Sequence, residues 1–473
     1  MNLLYKSTRN AEKTVTASEA ILKGLADDGG LYVPVTLPKL DVTLDELKDM
    51  SYQETAYAVM KQFLTDFTEE ELKNCIAKAY DSKFDTEEIA PLAKVEDTYY
   101  LELFHGATIA FKDMALSILP HLLTTSAKKN NVKNEIVILT ATSGDTGKAA
   151  LAGFADVEGT KIIVFYPKNG VSKVQELQMV TQKGENTSVV AIHGNFDAAQ
   201  SGVKSIFEDK EFAKELEAQG YQFSSANSIN IGRLVPQIVY YVYAYAKLLQ
   251  NEEIVAGEEI NVVVSTGNFG NILAAYYAKC MGLPIKKLIC ASNKNNVLTD
   301  FINTGVYNRK REFYVTSSPS MDILISSNLE RLLYMISKDC NEVAEYMRKL
   351  TEDGKYEVSP EIKKAVSENF YGGYADEKQC ANAIKNSYEK FGYVIDTHTA
   401  VAVSVHNDYV KNTGDNTKTV IASTASPFKF NGDVLASLES KEEIQDLDEF
   451  RLLERLSEKY DLRIPKSLAG LEE

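Results

Sequence analysis

The spacing of apolar residues changes character near residue 96. Before that point, apolar residues recur at helical spacing over residues 43–64 and 68–80, between turn-rich stretches. After it, short continuous apolar runs alternate with amphipathic helical segments. A strand that is buried on both faces has a continuous apolar sequence, so this alternation predicts a parallel sheet covered by helices on both sides. The predicted fold class is therefore α/β.

The same spacing predicts the individual elements. The predicted strands span residues 98–104, 135–142, 161–166, 187–192, 260–266 and 285–291. The predicted helices span residues 113–128, with a kink at Pro120, then 148–157, 172–183, 196–214, 236–250, 272–281 and a charged tail at 441–462. Since 473 residues are too many for one ordinary core, we expect an N-terminal unit over 1–95, an α/β region over 96–430 and a helical tail over 431–473.

The composition limits the classes of partner. The net charge is −16 and no basic run is present, which argues against nucleic acids and anionic membrane surfaces. No apolar run approaches the length of a bilayer span, and the first residues lack an apolar signal segment, so we expect a cytoplasmic protein. The five cysteines and five histidines are scattered, which predicts neither a disulfide frame nor a metal site.

Lys112 is the first candidate for chemistry. It follows Ile109, Ala110 and Phe111 at a predicted loop-to-helix junction. Burial lowers the pKa of an ammonium group, and a lysine that is partly neutral can attack an aldehyde to form a Schiff base. The alternative is a lysine whose stem packs while its ammonium group reaches solvent.

A loop of small and polar residues follows the predicted strand 135–142. It consists of Thr142, Ser143, Gly144, Asp145, Thr146 and Gly147. Glycines let a ligand approach the backbone, and the N–H groups at a helix start attract a carboxylate or a phosphate. A Walker A loop is excluded, because Ala149 and Thr142 stand where that motif requires a hydroxyl residue and a glycine. An ordinary capped turn remains the alternative.

A second glycine loop lies between the predicted strand 260–266 and the helix 272–281. It consists of Gly267, Asn268, Phe269, Gly270 and Asn271. Its position between a strand and a helix favours an anion-binding nest. It lacks the GxGxxG spacing of dinucleotide-binding loops. A tight strand-to-helix turn is the alternative.

Two further polar segments are candidates for binding. Residues 227–233 contain Ser228, Asn230 and Arg233, a set of donors suited to a phosphate ester. The alternative is a helix N-cap followed by a surface arginine. Residues 422–430 begin as an apolar strand and continue into small hydroxyl residues, one of which could meet a ring nitrogen. The alternative there is a strand edge.

Taken in chain order, these segments resemble the threonine synthase family, within the tryptophan-synthase-β type of pyridoxal-phosphate enzymes. The resemblance begins with residues 5–9 and 28–34 and continues through 105–113, both glycine loops and 424–430. The chain departs from the family pattern at four positions. Ala107 and Thr397 stand where proline is usual, and Ser426 and Phe428 where His and Ala are common. None of these departures removes a group that the chemistry requires.

The resemblance implies a role for each candidate residue. Lys112 would hold pyridoxal 5′-phosphate covalently and later shuttle protons. The cofactor phosphate would be cradled by Gly267, Asn268, Phe269, Gly270 and Asn271. Thr424 would face the pyridine nitrogen, and Asp145 would lie near the cofactor ring. The substrate carboxylate would bind to Thr142, Ser143 and Thr146. The substrate phosphate would bind to Ser228, Asn230 and Arg233.

The resemblance also implies a fold and a reaction. The fold is type II of the pyridoxal-phosphate enzymes, with two parallel-rich sheets flanked by helices, an N-terminal unit and a smaller mobile domain at about 116–219. The reaction converts the small-molecule substrate O-phospho-L-homoserine and water to L-threonine and phosphate, in a monomer or homodimer. Two alternatives remain: a related phospho-lyase that gives 2-oxobutyrate, and a catalytically silent binding homologue, which would be expected to lack Lys112.

Overall fold

The computed structural model describes residues 2–142, 144–168, 170–171 and 173–469. Its strands are β1 (Tyr5–Ser7), β2 (Thr14–Val15), β3 (Tyr32–Pro34), β4 (Leu92–Val95), β5 (Thr98–Glu102), β6 (Glu135–Ala141), β7 (Thr160–Pro167), β8 (Thr187–Ile192), β9 (Tyr221–Ser224), β10 (Ile260–Ser265), β11 (Ile285–Ser292), β12 (Val306–Asn308), β13 (Lys355–Glu357), β14 (Phe370–Tyr374) and β15 (Thr419–Ser423).

The helices alternate with these strands through most of the chain. They are α1 (Ala17–Lys23), α2 (Leu44–Leu47), α3 (Tyr52–Phe63), α4 (Glu69–Ala79), α5 (Asp113–Leu116), α6 (Leu119–Lys129), α7 (Asp145–Phe154), α8 (Lys173–Val180), α9 (Phe196–Glu208), α10 (Lys210–Ala218), α11 (Ile231–Gln250), α12 (Gly270–Cys280), α13 (Val297–Thr304), α14 (Leu329–Ser337), α15 (Cys340–Glu352), α16 (Pro360–Asn369), α17 (Glu377–Phe391), α18 (Thr397–Thr413), α19 (Asn431–Leu438), α20 (Lys441–Ile444) and α21 (Glu449–Tyr460).

The larger sheet has six strands in the order β14-β11-β10-β15-β5-β4. Every neighbouring pair is parallel except β4–β5, which is antiparallel at one edge. The carboxyl ends of β5, β10 and β15 therefore lie side by side at the same edge of the sheet. This placement brings together three chain segments that are far apart in sequence, namely those that follow β5, β10 and β15.

The two faces of this sheet pack against different sets of helices. Val262 and Val420 point into a core that includes α11, α12 and the N-terminal helices, and Val263 and Ile421 point into a second core formed with α17, α18, α19 and α21. The alternation follows from the two-residue period of a strand. Helix α11 is buried along almost its whole length, so both faces are covered, as the continuous apolar runs predict.

The smaller sheet contains four parallel strands in the order β8-β7-β6-β9. Its outer strand β8 contains no fully buried residue, and neither does α10. The N-terminal residues form a third, antiparallel sheet in the order β2-β1-β3. The two parallel-rich sheets and the N-terminal unit confirm the predicted fold class. In the described part of the chain, no helix combines the length and apolar character needed to cross a membrane.

Several helices differ from the sequence prediction. The predicted helix 113–128 is two helices, and Pro120 lies in the first turn of α6, where its missing N–H costs nothing, so it does not form a kink. The predicted helix 196–214 is interrupted at Asp209, whose side chain accepts hydrogen bonds from the first N–H groups of α10. The tail is likewise two helices, α20 and α21. In the last two cases an acidic or hydroxyl residue starts a new helix where apolar spacing alone predicts continuation.

Candidate active site

A cavity of about 480 Å³ lies at the carboxyl edge of the larger sheet. It is enclosed by the segments that follow β5, β10 and β15, together with the start of α7 and the first half of α11. Ten of the residues predicted from the sequence line it: Lys112, Thr146, Ser228, Arg233, Gly267, Asn268, Phe269, Gly270, Asn271 and Thr424. The fold thus brings all five of the candidate segments to one cavity.

Lys112 is placed beside Thr424 by pairing between two distant segments. The Phe111 N–H donates to the Thr424 carbonyl at 2.8 Å, and the Ser426 N–H donates to the Ile109 carbonyl at 3.0 Å. Ile109 adopts the left-handed conformation, with φ +54°. The chain therefore turns sharply before Lys112, which is half-buried at the start of α5.

A buried carboxylate supports this segment from behind. Asp113 accepts hydrogen bonds from the Thr108 N–H at 2.8 Å and the Thr108 hydroxyl at 2.6 Å. Gly106 packs directly on Asp113, because a Cβ atom at Gly106 would lie 2.6 Å from the Asp113 Cβ. Burial raises the pKa of Asp113, while the bonds from Thr108 oppose that rise. The residues on both sides of Lys112 are thus fixed by local packing and by the segment that follows β15, which begins at Thr424.

The glycine loop is fixed by a segment that lies about fifty residues later. A Cβ atom at Gly267 would lie 2.6 Å from the carbonyl oxygen of Ser320, so only glycine fits there. The Ser326 hydroxyl donates to the Gly267 carbonyl at 2.6 Å, and the Asn328 N–H donates to the Asn268 carbonyl at 2.9 Å. The loop is therefore tied to residues 320–328 at Gly267 and Asn268.

The start of α12 presents its backbone to the cavity. Phe269 precedes the helix in the left-handed conformation, with φ +66°. The first N–H groups of a helix have no intrahelical acceptor and favour a bound anion. A Cβ atom at Gly270 would lie 3.4 Å from the Asn328 amide nitrogen and 3.8 Å from that of Gln237. A larger side chain at this position would extend into the space between those two amides.

Asn271 places a buried amide next to this helix start. Its Oδ1 accepts a hydrogen bond from the Tyr240 hydroxyl at 2.7 Å and another from the Tyr241 hydroxyl. Its Nδ2 is buried and has no hydrogen-bond partner among the described residues. Because buried donors are nearly always paired, the Nδ2 group fits a site that binds an acceptor from a ligand.

Arg233 contributes a buried cation to the same cavity. Its Nη1 donates to the Ala226 carbonyl at 3.1 Å, and its buried Nε has no partner among the described residues. Burial lowers the pKa of the guanidinium to about 10, so it stays charged near pH 7. Lys112 also lines the cavity, and no carboxylate does so among the described lining residues. The cavity is therefore suited to anions, in contrast to the protein as a whole.

Two hydroxyl groups meet at the ends of β10 and β15. The Ser265 and Thr424 hydroxyl oxygens lie 3.4 Å apart, and both residues are buried. Ser265 was not predicted from the sequence. It occupies the last position of an apolar strand, where a single serine gives little local signal. Both residues line the cavity, so the pair offers it neutral hydrogen-bonding groups.

Thr142 does not line the cavity. Its hydroxyl accepts hydrogen bonds from the Gly144 N–H at 3.0 Å and the Gly147 N–H at 2.9 Å. The hydroxyl thus holds the loop together, as Ser and Thr side chains often do in turns. Of its neighbours in the prediction, Thr146 lines the cavity, whereas Ser143 and the Asp145 side chain lie outside the described residues.

Asn230 is also absent from the cavity lining. Its Nδ2 donates to the carbonyls of Ile21 and Ser225, both at 2.9 Å, and its Oδ1 accepts from the Gly232 N–H at 2.9 Å. The residue is fully buried and serves as the N-cap of α11. The helix-cap alternative therefore applies to Asn230, while Arg233, on the same helix, does reach the cavity.

His398 is a cavity residue that the sequence analysis did not assign. Its Nε2 accepts a hydrogen bond from the Ser320 N–H at 3.2 Å, so the ring proton is on Nδ1, which lies 2.9 Å from Asp396 Oδ2. Both His398 and Asp396 are buried. The imidazole therefore supports the turn that packs on Gly267. The sequence contains a local hint, an aspartate two residues before a histidine, but this pattern does not by itself indicate a site.

A larger cavity, of about 640 Å³, lies between α6 and α7. Its described lining contains none of the predicted site residues, and the charged groups there have both signs, including Lys78, Lys83, Asp81 and Asp156. We therefore place the chemistry in the smaller cavity. Over the described residues, no group of three or more His, Cys, Asp or Glu side chains is arranged to bind a metal ion.

Three family profiles together match almost the whole chain. "Threonine synthase N terminus" matches residues 4–80, "Pyridoxal-phosphate dependent enzyme" matches residues 86–424, and "Threonine synthase, C-terminal" matches residues 399–472. The second profile alone covers more than half of the sequence and includes Lys112, both glycine loops and Thr424.

The similar proteins include some that are named threonine synthase-like 1 and others that are named threonine synthase. "Threonine synthase-like 1" from Homo sapiens is 40% identical over 449 residues, which cover 92% of this chain. This chain spans 60% of the length of that relative. "Threonine synthase" from Saccharomyces cerevisiae is 35% identical over 458 residues, which cover 90% of this chain and 87% of the yeast protein.

Solved structures show the same fold. The crystal structure of threonine synthase from yeast matches with a TM-score of 0.89 at 34% identity, covering 100% of this chain and 94% of that one. The structure of pyridoxal-phosphate-bound threonine synthase from Brucella melitensis matches with a TM-score of 0.85 at 35% identity, covering 92% of this chain and 91% of that one.

The cavity fits the cofactor of these relatives. Pyridoxal 5′-phosphate carries an anionic phosphate and an aldehyde, and the cavity offers a helix start with a spare amide donor at Asn271 and a lysine at position 112. The cofactor of the protein is pyridoxal 5′-phosphate. The sequence profiles, the relatives and the fold agree, and the chain belongs to the threonine synthase family of pyridoxal-phosphate-dependent enzymes.

Proposed function

We propose that the protein is a threonine synthase, which converts O-phospho-L-homoserine and water to L-threonine and phosphate. The observation that carries the proposal is the convergence of Lys112, Thr146 and Arg233 on one cavity, beside the glycine loop. A substrate with a carboxylate and a phosphate ester needs two sets of donors besides those that hold the cofactor. The cavity has donors for this purpose on α7 and on α11.

The glycine loop and Lys112 would hold the cofactor. Its phosphate would bind the N–H groups at residues 267–271 and the Asn271 amide, while Lys112 would form the covalent link. Thr424 would face the ring nitrogen, and Asp145 would lie near the ring. Bound pyridoxal phosphate supplies an electron sink for a carbanion at the substrate. Because a hydroxyl such as that of Thr424 cannot stabilise a protonated ring nitrogen as a carboxylate would, we expect elimination chemistry to be favoured over transamination.

The substrate would be held at its two anionic ends. Arg233, with Ser228 nearby, would bind the phosphate, and Thr146 with Ser143 would bind the carboxylate. A hydrogen bond that involves a charged group contributes about 1.5–3 kcal/mol. The side chains of Thr142 and Asn230 already bond to the backbone, so we assign them to holding the loop and capping α11.

Lys112 would move the protons of the reaction. Its amine would take the α proton of the substrate and pass that proton on within the site, so that the amine is neutral again when it takes a β proton; phosphate then leaves from the γ carbon. Water then adds at the β carbon, and Lys112 returns protons to complete L-threonine. We propose that the smaller domain, at about residues 116–219, closes over the cavity and excludes stray water before that addition.

The identity of the product distinguishes the proposed reaction from its two alternatives. Purified protein loaded with pyridoxal phosphate is incubated with O-phospho-L-homoserine, and phosphate, threonine and 2-oxobutyrate are measured. We expect threonine and phosphate in equal amounts, and no product from homoserine, which lacks the phosphate anchor and leaving group. Phosphate with 2-oxobutyrate and no threonine would establish the phospho-lyase alternative instead. No turnover, with the cofactor bound, would favour the silent binding homologue.

The lysine is tested separately. Borohydride reduction of the loaded protein followed by peptide mapping should place the cofactor on Lys112, and Lys112→Ala should abolish turnover. Arg233→Ala should lower kcat/KM by about tenfold or more, since it removes a charge-assisted contact of about 1.5–3 kcal/mol. A label on another lysine would refute the assignment of Lys112.

A further inference from the structure

Two tyrosines of α11 contact the first turn of α12, where the glycine loop ends. Tyr240 and Tyr241 are adjacent in sequence and both buried, and both hydroxyls lie within hydrogen-bond distance of Asn271 Oδ1. Burial raises the pKa of each phenol well above its ordinary value. Both groups therefore remain protonated and need an acceptor.

The Tyr241 hydroxyl determines which way the Asn271 amide points. Within the described part of the chain, the Asn271 oxygen is the one acceptor that this hydroxyl contacts. If the amide were turned over, its NH₂ group would face the Tyr241 O–H, and the phenol proton would be left buried without an acceptor. An unpaired buried polar group costs about 1–3 kcal/mol, so the oxygen faces the tyrosines.

Tyr240 does not impose this orientation by itself. Gln237 Nε2 donates to the Arg233 carbonyl at 2.7 Å, which directs Gln237 Oε1 toward the Tyr240 hydroxyl at 3.1 Å. Tyr240 thus has a second acceptor and could accept a hydrogen bond from Asn271 while donating to Gln237. The orientation of the amide depends on Tyr241.

The orientation of the Asn271 amide determines which of its atoms remains available to a ligand. With Oδ1 held by the tyrosines, Nδ2 is the amide atom left to a ligand, and it has no hydrogen-bond partner among the residues that the structure describes. We infer that Tyr241 is a positioning residue, which holds the Asn271 amide so that its N–H groups donate to the phosphate of the bound cofactor. This inference rests on the proposed placement of that phosphate at residues 267–271.

The test compares two ligands that differ in the phosphate. The affinity of the cofactor-free protein for pyridoxal phosphate and for pyridoxal is measured by absorbance titration. Tyr241→Phe keeps the ring and removes the hydroxyl. We expect the Kd for pyridoxal phosphate to rise about tenfold, in keeping with the loss of an oriented charge-assisted hydrogen bond, and the Kd for pyridoxal to stay unchanged.

Two tyrosine variants serve as controls on the same helix. Tyr245→Phe also removes a hydrogen-bonded hydroxyl, which donates to the Glu258 carbonyl at 2.9 Å and lies outside the cavity lining. It should leave both affinities unchanged. Tyr240→Phe should weaken the binding of pyridoxal phosphate less than Tyr241→Phe does, because Tyr241 still orients the amide. The reverse order of the two effects would overturn the inference.

A double variant tests whether Tyr241 acts through Asn271. Asn271→Ala should raise the Kd for pyridoxal phosphate at least as much as Tyr241→Phe, and adding Tyr241→Phe to it should have no further effect. Full additivity of the two changes would overturn the inference, as would unchanged affinity in Tyr241→Phe. If Asn271→Ala and Gly270→Val both bind pyridoxal phosphate like the parent, the proposed phosphate placement itself is wrong, which is a different outcome.

Discussion

The two strand-to-helix loops of this protein are held in place in different ways. The loop at 142–147 follows β6 of the smaller sheet. The Thr142 hydroxyl accepts hydrogen bonds from two N–H groups of this same loop. The loop at 267–271 follows β10 of the larger sheet and is fixed by Ser320, Ser326 and Asn328, which are about fifty to sixty residues away.

This difference suits the two proposed tasks. A loop that is held by its own side chain keeps its shape when the sheet that carries it shifts. A loop that is tied to distant segments keeps its position relative to those segments. The first arrangement fits a loop that closes on a substrate with the smaller domain. The second fits a phosphate-binding loop that must keep its position relative to Lys112 and Thr424, at the edge of the larger sheet.

Of the variants that test this difference between the two loops, Gly267→Ala should have the largest effect on stability. Its Cβ atom would lie 2.6 Å from a backbone oxygen, that of Ser320, which cannot rotate away. We expect a loss of about 3 kcal/mol in the free energy of unfolding, the upper part of the range for overpacking, and weak binding of pyridoxal phosphate. Denaturant unfolding and cofactor titration measure both. Gly202→Ala, where a Cβ meets open space on helix α9, is the control: it should leave the binding of pyridoxal phosphate unchanged and raise the free energy of unfolding by about 0.5–1 kcal/mol, since alanine favours a helix over glycine.

Asn328→Ala should loosen the segment that supports the second loop, although the backbone bond from the Asn328 N–H to the Asn268 carbonyl remains. The Asn328 side chain donates to the Ser228 carbonyl at 3.2 Å and accepts from Arg331 Nη1 at 2.6 Å. Its removal leaves a buried charge with one partner fewer, so we expect a loss of about 2 kcal/mol in the free energy of unfolding. Asn369→Ala removes a helical side-chain bond far from the site and should cost less. Equal costs would contradict the proposed role of Asn328.

Thr142→Val should affect the first loop alone. Valine keeps the shape of threonine but cannot accept the hydrogen bonds from Gly144 and Gly147, so we expect a loss of about 1–2 kcal/mol in the free energy of unfolding. Kinetics should show a higher KM for the substrate, while the affinity for pyridoxal phosphate stays unchanged. A loss of cofactor affinity would mean that the two loops are not independent.

The smallest expected effect on stability comes from a change at His105, which lies in the segment that carries Lys112. Burial lowers its pKa, but hydrogen bonds to the carboxylates of Asp85 and Glu102 outweigh burial and raise the pKa to about 9. A pKa raised above the ordinary value of about 6.5 means that protonated His105 stabilises the fold fully below that value. This stabilisation is lost as the pH rises through about 9.

His105→Gln tests this pH dependence. The variant should be about 1 kcal/mol less stable than the parent near pH 6, since the Asp85 carboxylate is partly exposed and the pair is screened. The difference should shrink as the pH rises through about 9. Thermal unfolding at a series of pH values measures it. A difference that does not depend on pH would show that the charge of His105 is not the cause.

The sequence by itself determined the order and class of the elements around the site. Strands β6, β8 and β10 lie within one residue of their predicted bounds, because each contains a short apolar run next to polar residues. The same pattern located both glycine loops and predicted the α/β fold. The resemblance of the motifs to a family then indicated the cofactor, which the relatives confirm. Local rules sufficed for these features, since hydrophobic periodicity and glycine placement act over a few residues.

Only the tertiary structure decided which polar side chains face the cavity. The side chains of Thr142 and Asn230 have suitable chemistry but bond to backbone groups of the protein instead. Asn328 and His398, which gave no decisive signal, support the glycine loop from distant parts of the chain. A buried polar group must find a partner wherever the fold provides one, and that partner can lie hundreds of residues away, as for Phe111 and Thr424. Sequence spacing therefore predicts the available donors, and packing selects those that remain for a ligand.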